Sequence, residues 1–219
     1  MKKDLAQIYK KLLNHFGGQH WWPADTEFEV IVGAILTQAA SWKNVESAIE
    51  NLKSKKILTP AGIKGITTAE LGKLIRPAGY YNVKSKKLKK FVDFLYKNYN
   101  GDLNLFLSQP IGKLRDELLS IWGIGNETAD SIVLYAAHKP SFVVDAYTRR
   151  IFSRLGFVDD DVSYENLKKF FEKNLPEDVG LYKEFHALIV ELGKNYCRTK
   201  PACGECPINY GCKSNERNL

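Results

Sequence analysis

Apolar residues recur at helical spacing along nearly the whole chain, and this periodicity constrains the fold more than any other feature of the sequence. Recurrence every three or four residues is typical of amphipathic helices. The clearest stripe comprises Leu5, Ile8, Tyr9, Leu12, Leu13 and Phe16. Only Ser141 to Val144 has a strand-like pattern, and without a partner we expect it to form an extended connection. The periodicity predicts an all-α protein with roughly ten helices, including helices at about 145–155, 163–174 and 179–195.

Length and charge restrict the class of protein further. A chain of 219 residues can form one large domain or two small lobes with a buried core. The net charge of +7 permits a polyanionic partner, but it is equally compatible with simple solubility. No apolar run reaches the roughly 18 residues of a membrane-spanning helix, and residues 1–4 lead into an amphipathic segment instead of a signal-peptide core. We therefore expect a cytoplasmic protein that is not inserted in a membrane.

All four cysteines lie within the last 23 residues, with gaps of five, two and five residues between them: Cys197, Cys203, Cys206 and Cys212. In a cytoplasmic protein such a cluster indicates metal ligands or free thiols instead of disulfides. Four-cysteine zinc sites usually use two short pairs set well apart, whereas one short pair is flanked at equal spacing here. The pattern favours a [4Fe–4S] cluster, with zinc and inert thiols as the alternatives. Residues that tighten the loop are Pro201, Gly204, Pro207 and Gly211.

A glycine turn at residues 123–125 separates two helical segments. Backbone N–H groups at a helix start can bind a phosphate, and Asn126 is the candidate N-cap of the next helix. A turn of this kind in isolation is equally typical of a tight helix–helix connection. Asp145 follows Glu127 by eighteen residues and is a candidate N-cap for a helix that begins at Ala146.

This turn, the following Thr128-Ala129, the spacing to Asp145 and the pair Arg149-Arg150 together resemble the endonuclease III superfamily of helix–hairpin–helix DNA glycosylases. The resemblance extends from about Leu5 to Cys212. It implies an all-α, two-lobed fold with a C-terminal [4Fe–4S] cluster loop at 197–212. One lobe would be a six-helix barrel at 23–135 that carries the hairpin. The other would combine residues 1–22 with residues 136–219.

The resemblance also implies roles for individual residues. The hairpin, through Gly123, Gly125 and Thr128, would bind the phosphates of one DNA strand without recognising bases. Asp145 would be the catalytic carboxylate, stabilising positive charge on the sugar as the base departs and orienting or deprotonating the attacking water. Bifunctional members carry a lysine where this chain has Glu127, and a carboxylate cannot form a Schiff base. We therefore expect a monofunctional enzyme without AP lyase activity.

Base excision from a duplex requires the base to be flipped into a pocket. Gln38 matches the family glutamine that fills the vacated space, and Tyr80 lies where a second wedge residue is expected. The lysines after Tyr80 are expected on a solvated helix face that could add attraction for the DNA backbone. They are Lys84, Lys86, Lys87, Lys89 and Lys90.

Trp21-Trp22-Pro23 and Trp42 are the distinctive aromatic residues. Such residues are generically more often core than pocket. Their positions resemble the 3-methyladenine DNA glycosylase branch of the superfamily, in which aromatic residues at these places sandwich the flipped base. An alkylated purine is cationic and is attracted by indole faces. Glu127 is placed in the same predicted pocket. Some members of this branch lack the cluster cysteines, which this chain retains.

The sequence thus predicts a monofunctional DNA glycosylase of base excision repair. It would act as a monomer, in the cytoplasm and associated with the nucleoid, on double-stranded DNA containing damaged bases, above all alkylated purines such as 3-methyladenine. The first alternative is an endonuclease III-like glycosylase for oxidised pyrimidines or mismatched bases. The second is a non-catalytic lesion-binding module, against which Asp145 argues because binding alone does not require it.

Overall fold

A computed structural model of the protein describes residues 4–210 and 212–216. Gly211, one of the predicted turn residues of the cysteine loop, lies outside the described residues, as do residues 1–3 and 217–219. The described chain is helical throughout and contains no β-strand, as predicted. Residues 141–144 form a buried connection that is neither helix nor strand.

The described residues form thirteen α-helices, which in chain order are α1 (Leu5–Phe16), α2 (Glu27–Leu36), α3 (Trp42–Ser54), α4 (Pro60–Gly65), α5 (Thr68–Leu74), α6 (Tyr81–Tyr99), α7 (Leu103–Leu107), α8 (Ile111–Ser120), α9 (Asn126–Ser131), α10 (Ala146–Leu155), α11 (Tyr164–Asn174), α12 (Val179–Asn195) and α13 (Lys213–Glu216). Short 3₁₀ turns are at Arg76–Ala78 and Cys203–Glu205. A π-helical segment at Ile132–Ala136 continues α9.

The chain divides into two compact units, residues 22–139 and residues 1–21 with 140–219. The sequence assigned residues 136–139 to the other lobe. They belong to the 22–139 unit because the backbone N–H groups of Ala137 and Lys139 donate to the carbonyls of Ile132 and Val133, each at 3.0 Å. We refer to these units as the hairpin unit and the cysteine unit.

The hairpin unit is built around α2, in which every residue from Phe28 to Leu36 is buried. A helix that is hydrophobic on all sides belongs in a core, and α2 packs against α3, α6 and the π-helical segment. Thr26 caps its start by accepting from the Glu29 N–H. The fixed end of α2 at Leu36 therefore positions the loop that carries Gln38.

The cysteine unit packs α1 and α10 against α12. Its core is aromatic: the rings of Phe142 and Phe171 stack with centroids 4.1 Å apart, and Phe152 and Phe185 pack against Phe171 edge-on. The connection at residues 141–144 is held in place by Lys168, whose ammonium donates to the Ser141 hydroxyl at 2.8 Å. This connection delivers the chain to Asp145 at the start of α10.

Several local expectations from the sequence need correction. Helix α4 has only six residues and one buried side chain, which is too few to produce the helical periodicity of apolar residues. Helix α9 begins at Asn126 itself, and Gly125 occupies the N-cap position. The lysines after Tyr80 do not form one solvated face, since Lys84 is buried and Lys87 and Lys89 bond to neighbouring loops.

Candidate functional site

The glycine hairpin joins α8 to α9 in the hairpin unit. Gly123 has φ +89°, and a Cβ there would lie 2.5 Å from Lys87 Cγ, so the turn requires glycine. A Cβ on Gly125 would meet nothing within 4 Å, so this part of the backbone faces open space. Trp122 at the tip is 56% exposed. The hairpin therefore presents accessible backbone, as a phosphate-binding turn requires.

A buried ion pair joins the two helices of the hairpin. Arg115 on α8 donates through Nε to Asp130 Oδ1 at 2.9 Å and through Nη2 to Oδ2 at 3.2 Å. The Asp130 side chain is fully buried. Paired hydrogen bonds of this kind fix both distance and orientation, so the pair holds α8 and α9 in register around the turn.

Gln38 follows α2 and bonds to the underside of the hairpin. Its amide donates to the Gly123 carbonyl at 3.1 Å and to the Thr128 hydroxyl at 2.9 Å. Its carbonyl oxygen accepts from the Lys87 ammonium. Thr128 is buried, so its hydroxyl supports the hairpin from within, and the structure brings three predicted DNA-binding residues together in one hydrogen-bonded group.

Tyr80 immediately precedes α6 and is 70% exposed. Its φ of 45° and that of Ala39, 52°, both lie in the left-handed region that side chains other than glycine rarely adopt. Such backbone geometry persists only where the surroundings impose it. Both predicted wedge residues therefore lie on, or next to, constrained turns of the hairpin unit.

Trp22 and Trp42 form an aromatic cluster in the hairpin unit. Their ring centroids are 5.5 Å apart with nearly perpendicular planes, at 87°. Tyr135 from the π-helical segment lies 5.3 Å from the Trp22 ring, and a Cβ on Gly33 would lie 3.1 Å from that ring. The two indoles do not form a parallel sandwich in this structure. Tyr135 was missed by the sequence because it falls within an otherwise apolar helical run.

Trp21 lies in the cysteine unit and stacks on His186 of α12, with centroids 5.5 Å apart and planes at 28°. The adjacent tryptophans therefore belong to different units. Pro23 is exposed at the start of the hairpin unit. Glu127 is exposed in the first turn of α9, where its carboxylate is favoured by the helix dipole. His186 gave no sequence signal, because a single histidine in an apolar helix is more often a core residue.

Asp145 is the N-cap of α10, as predicted. Its Oδ1 accepts from the Thr148 N–H at 2.7 Å and from the Thr148 hydroxyl at 2.8 Å. The other oxygen, Oδ2, lies 3.7 Å from His186 Nε2, and the side chain is 12% exposed. Burial by itself would raise the pKa of Asp145, but His186 and the Thr148 hydrogen bonds outweigh burial and hold that pKa below its ordinary value. Asp145 is therefore an ionised carboxylate at neutral pH.

Replacement His186→Phe is expected to raise the pKa of Asp145 and, with Asp145 as the catalytic carboxylate that the sequence predicts, to move the acidic limb of the pH–rate profile to higher pH. Phenylalanine retains a ring against Trp21 but removes the nitrogen that favours the charged carboxyl, so burial then raises the pKa of Asp145. The charged form also contributes folding stability above the unfolded pKa of about 3.9, and this contribution disappears as pH falls through the lower folded pKa. Base-release rates of the wild type and of His186→Phe, measured from mildly acidic to neutral pH, test the expected shift of the acidic limb.

His15→Phe is the matched control for this experiment. His15 lies in the same unit but bonds to the Tyr196 hydroxyl at 3.0 Å and is exposed. The control should leave the acidic limb in place. An unchanged limb in His186→Phe would show that the histidine does not tune Asp145.

The four cysteines line one cavity of the cysteine unit, together with Arg154, Tyr196 and Pro201. Arg154 donates to Cys197 Sγ at 3.5 Å and to the Arg198 carbonyl at 2.6 Å. Arg150, which the sequence grouped with the DNA-binding constellation, instead donates from Nε to the Cys197 carbonyl at 2.8 Å. Two arginines of α10 thus anchor the loop at 197–212.

The cavity offers four cysteine sulfurs, which are the ligand atoms of a thiolate metal site. Among residues 4–210 and 212–216 no group of three or more His, Cys, Asp or Glu side chains is arranged to hold a metal ion. Burial, followed by the neighbouring thiols, raises the pKa of Cys206 to about 11. Four sulfurs around one cavity match the ligand type and number of an iron–sulfur cluster and of structural zinc.

An accessible hairpin supported by Gln38, with a capping carboxylate downstream, defines a helix–hairpin–helix DNA-binding protein. The sequence model of one protein family, described as "HhH-GPD superfamily base excision DNA repair protein", matches residues 32–177 of this chain. The chain belongs to this superfamily, which confirms the predicted family. Within the described part of the chain no helix has the length and apolarity to cross a membrane.

Known proteins of similar sequence and structure extend this assignment. A candidate DNA repair glycosylase of Methanocaldococcus jannaschii is 53% identical, over 96% of each chain. The structure is similar to the Helicobacter pylori 3-methyladenine DNA glycosylase bound to 1,N6-ethenoadenine, with TM-score 0.77, 31% identity and coverage of 88% of this chain and 98% of that one. It is also similar to endonuclease III in a non-covalent DNA complex, with TM-score 0.84, 25% identity and coverage of 97% and 95%. The protein is a DNA glycosylase of base excision repair.

Proposed function

We propose that the protein is a monofunctional glycosylase that hydrolyses the N-glycosidic bond of alkylated purines, such as 3-methyladenine, in double-stranded DNA. The observation that carries this proposal is the partly buried indole pair Trp22 and Trp42. Alkylation makes the purine cationic, and an indole face attracts a cation by about 0.5–2 kcal/mol. The similarity to the Helicobacter pylori 3-methyladenine DNA glycosylase supports the same substrate class.

In this proposal Asp145 supplies the negative charge that the departing base requires. Because Oδ1 is committed to Thr148, Oδ2 is the oxygen that stabilises the sugar cation and orients the attacking water. A cationic purine is already a good leaving group, so a strong general acid is not needed. The hairpin binds phosphate, and Gln38 and Tyr80 enter the duplex after the base has been flipped.

The cysteine loop is proposed to hold a [4Fe–4S] cluster through Cys197, Cys203, Cys206 and Cys212. When bound, the cluster would supply a structural link among four points of the loop. Arg150 and Arg154 hold the loop backbone against α10. Iron and sulfide content and visible absorption of the purified protein test this assignment, and stoichiometric zinc without iron would replace the cluster with a structural zinc site.

An endonuclease III-like activity on oxidised pyrimidines or mismatched bases is the second candidate, favoured by the similarity to the endonuclease III–DNA complex. Duplexes containing 3-methyladenine, 7-methylguanine, hypoxanthine, mismatched uracil and thymine glycol separate the two under single-turnover conditions. The proposal expects the methylated purines to be released fastest. Preference for thymine glycol or mismatched uracil would favour the second candidate, and no release from any duplex would favour a binding module.

Trp42→Leu sharpens this comparison. Loss of the indole should slow release of the cationic bases relative to hypoxanthine by about two- to thirty-fold, the factor that corresponds to the cation–π energy. Trp122→Leu is the matched control, because Trp122 is an exposed tryptophan on the hairpin tip of the same unit. Any effect of the control should be equal for charged and neutral bases.

Borohydride is expected not to trap the enzyme on a lesion duplex. Trapping requires an imine between a lysine amine and C1′ of the sugar, and Glu127 provides a carboxylate at the position predicted for the lyase lysine. Gel analysis after reduction, with a bifunctional endonuclease III as the positive control, measures the adduct. A robust covalent adduct would refute the monofunctional assignment.

A further inference from the structure

Lys84 is a buried lysine that the proposed chemistry does not use. It lies in the first turn of α6 and is 2% exposed. Its Nζ donates to the Leu36 carbonyl at 2.8 Å and to the Ala78 carbonyl at 2.7 Å. A cationic group is rarely removed from water without a carboxylate partner, and both acceptors here are neutral backbone carbonyls.

The two carbonyls occupy equivalent positions in two different loops. Leu36 ends α2 and lies two residues before Gln38, while Ala78 ends a 3₁₀ turn and lies two residues before Tyr80. Each loop then passes through a left-handed residue, Ala39 in one and Tyr80 in the other. One atom, Lys84 Nζ, is therefore hydrogen-bonded to both of the loops that present the wedge residues Gln38 and Tyr80.

We propose that Lys84 is a positioning residue that sets the spacing of the Gln38 and Tyr80 loops and so controls extrusion of the base from paired DNA. This inference rests on the proposed function. The two wedge residues must enter one duplex together, and a misplacement of about 1 Å in a reacting constellation costs on the order of a hundredfold in rate. Bond breaking at the sugar depends on Asp145 and does not involve Lys84.

The bridge does not depend on the charge of Lys84. Burial, followed by repulsion from Lys87, lowers the pKa of Lys84. A neutral amine retains two N–H donors, enough for the two carbonyls that Lys84 contacts. We therefore expect the positioning role to persist across the pH range in which the enzyme acts.

Lys84→Met tests the proposal because it preserves a long side chain but removes every donor. Single-turnover base release should fall by about ten- to a hundredfold for a lesion paired in a duplex. Release should fall much less for the same lesion opposite an abasic site, because an unpaired base is cheaper to extrude. Lys89→Met is the matched control: Lys89 lies on the same helix and donates to the Lys64 carbonyl at 3.0 Å and to the Ile66 carbonyl, away from both wedge loops. It should leave both rates near those of the wild type.

Extrusion is also measured without chemistry, by the fluorescence of 2-aminopurine opposite or beside the lesion, in an Asp145→Asn background. Lys84→Met should reduce the rise in 2-aminopurine fluorescence that accompanies DNA binding. This readout does not depend on whether alkylated purines are the correct substrate. Failure of the inference is therefore distinguishable from failure of the proposed function. If Lys84→Met does not fold, Lys84→Arg takes its place, because arginine keeps donors on a side chain long enough to reach both carbonyls. Lys84→Arg should retain most of the rise, whereas Lys84→Gln, whose amide donors lie on a shorter side chain, should not. An unchanged rise, or equal rate losses on paired and unpaired lesions, would overturn the proposal.

Discussion

Asp145→Asn is expected to reduce base release by about 10²–10⁴-fold while leaving DNA binding intact. Asparagine is as good an N-cap as aspartate, so the bond to the Thr148 N–H and the start of α10 are preserved. What is lost is the negative charge that the proposed mechanism places opposite the sugar cation. Single-turnover release and gel-shift affinity on the same lesion duplex measure the two properties separately.

Asp178→Asn provides the matched control for the proposed catalytic aspartate. Asp178 is the N-cap of α12 in the same unit, and its Oδ1 accepts from the Leu181 N–H at 2.6 Å, but it is exposed. The control removes one capping carboxylate without touching the proposed chemistry, so its activity should stay near that of the wild type. Retained activity in Asp145→Asn would remove Asp145 from the mechanism.

Arg115→Met is expected to destabilise the protein by about 3–5 kcal/mol. The substitution removes Arg115 from Asp130, whose side chain is fully buried, so the carboxylate loses its bidentate arginine in a medium of low dielectric constant. A typical domain is stable by only about 5–15 kcal/mol, so the effect should be clear in urea unfolding. DNA affinity should fall as well, because the pair holds the two helices of the hairpin.

Two further variants make this stability measurement interpretable. Lys113→Met on the same helix breaks an exposed ion pair with Glu117 at 3.9 Å and should cost less than about 1 kcal/mol. The double variant Arg115→Met/Asp130→Asn should recover part of the loss because no charge is left buried. Equal free energies of unfolding for Arg115→Met and Lys113→Met would mean that the buried ion pair stabilises the protein no more than the exposed one does.

The helical framework could be predicted because it depends on local sequence. The expected helices at 145–155, 163–174 and 179–195 are observed within one residue of those bounds. Apolar spacing and capping side chains act over a few residues, so they are visible in a single sequence. The four cysteines and Asp145 could be identified in the same way, from residue type and spacing. Short helix α4 and the π-helical segment carry no comparable local signal.

The contacts that support the site could not be predicted from spacing. His186 follows Asp145 by 41 residues, yet its ring lies 3.7 Å from the carboxylate. Lys84 was expected on a solvated face of α6, but it is buried because its donors satisfy two carbonyls at the ends of other elements. Gln38 was expected to enter DNA, and the structure shows its amide bonded to Gly123 and Thr128 of the hairpin.

The sequence by itself determined the helical class, the glycine turn and the capping carboxylate. It also determined that position 127 is a glutamate and not a lysine, and that four cysteines lie close together. Each of these features depends on residue type over a short stretch of chain. The tertiary structure alone decided which groups support these residues: Arg115 with Asp130 across the hairpin, His186 beside Asp145, and Lys84 between the wedge loops. These pairings join residues that belong to different helices and loops. They form because a polar group removed from water needs a partner, and only the folded chain determines which partner is within reach.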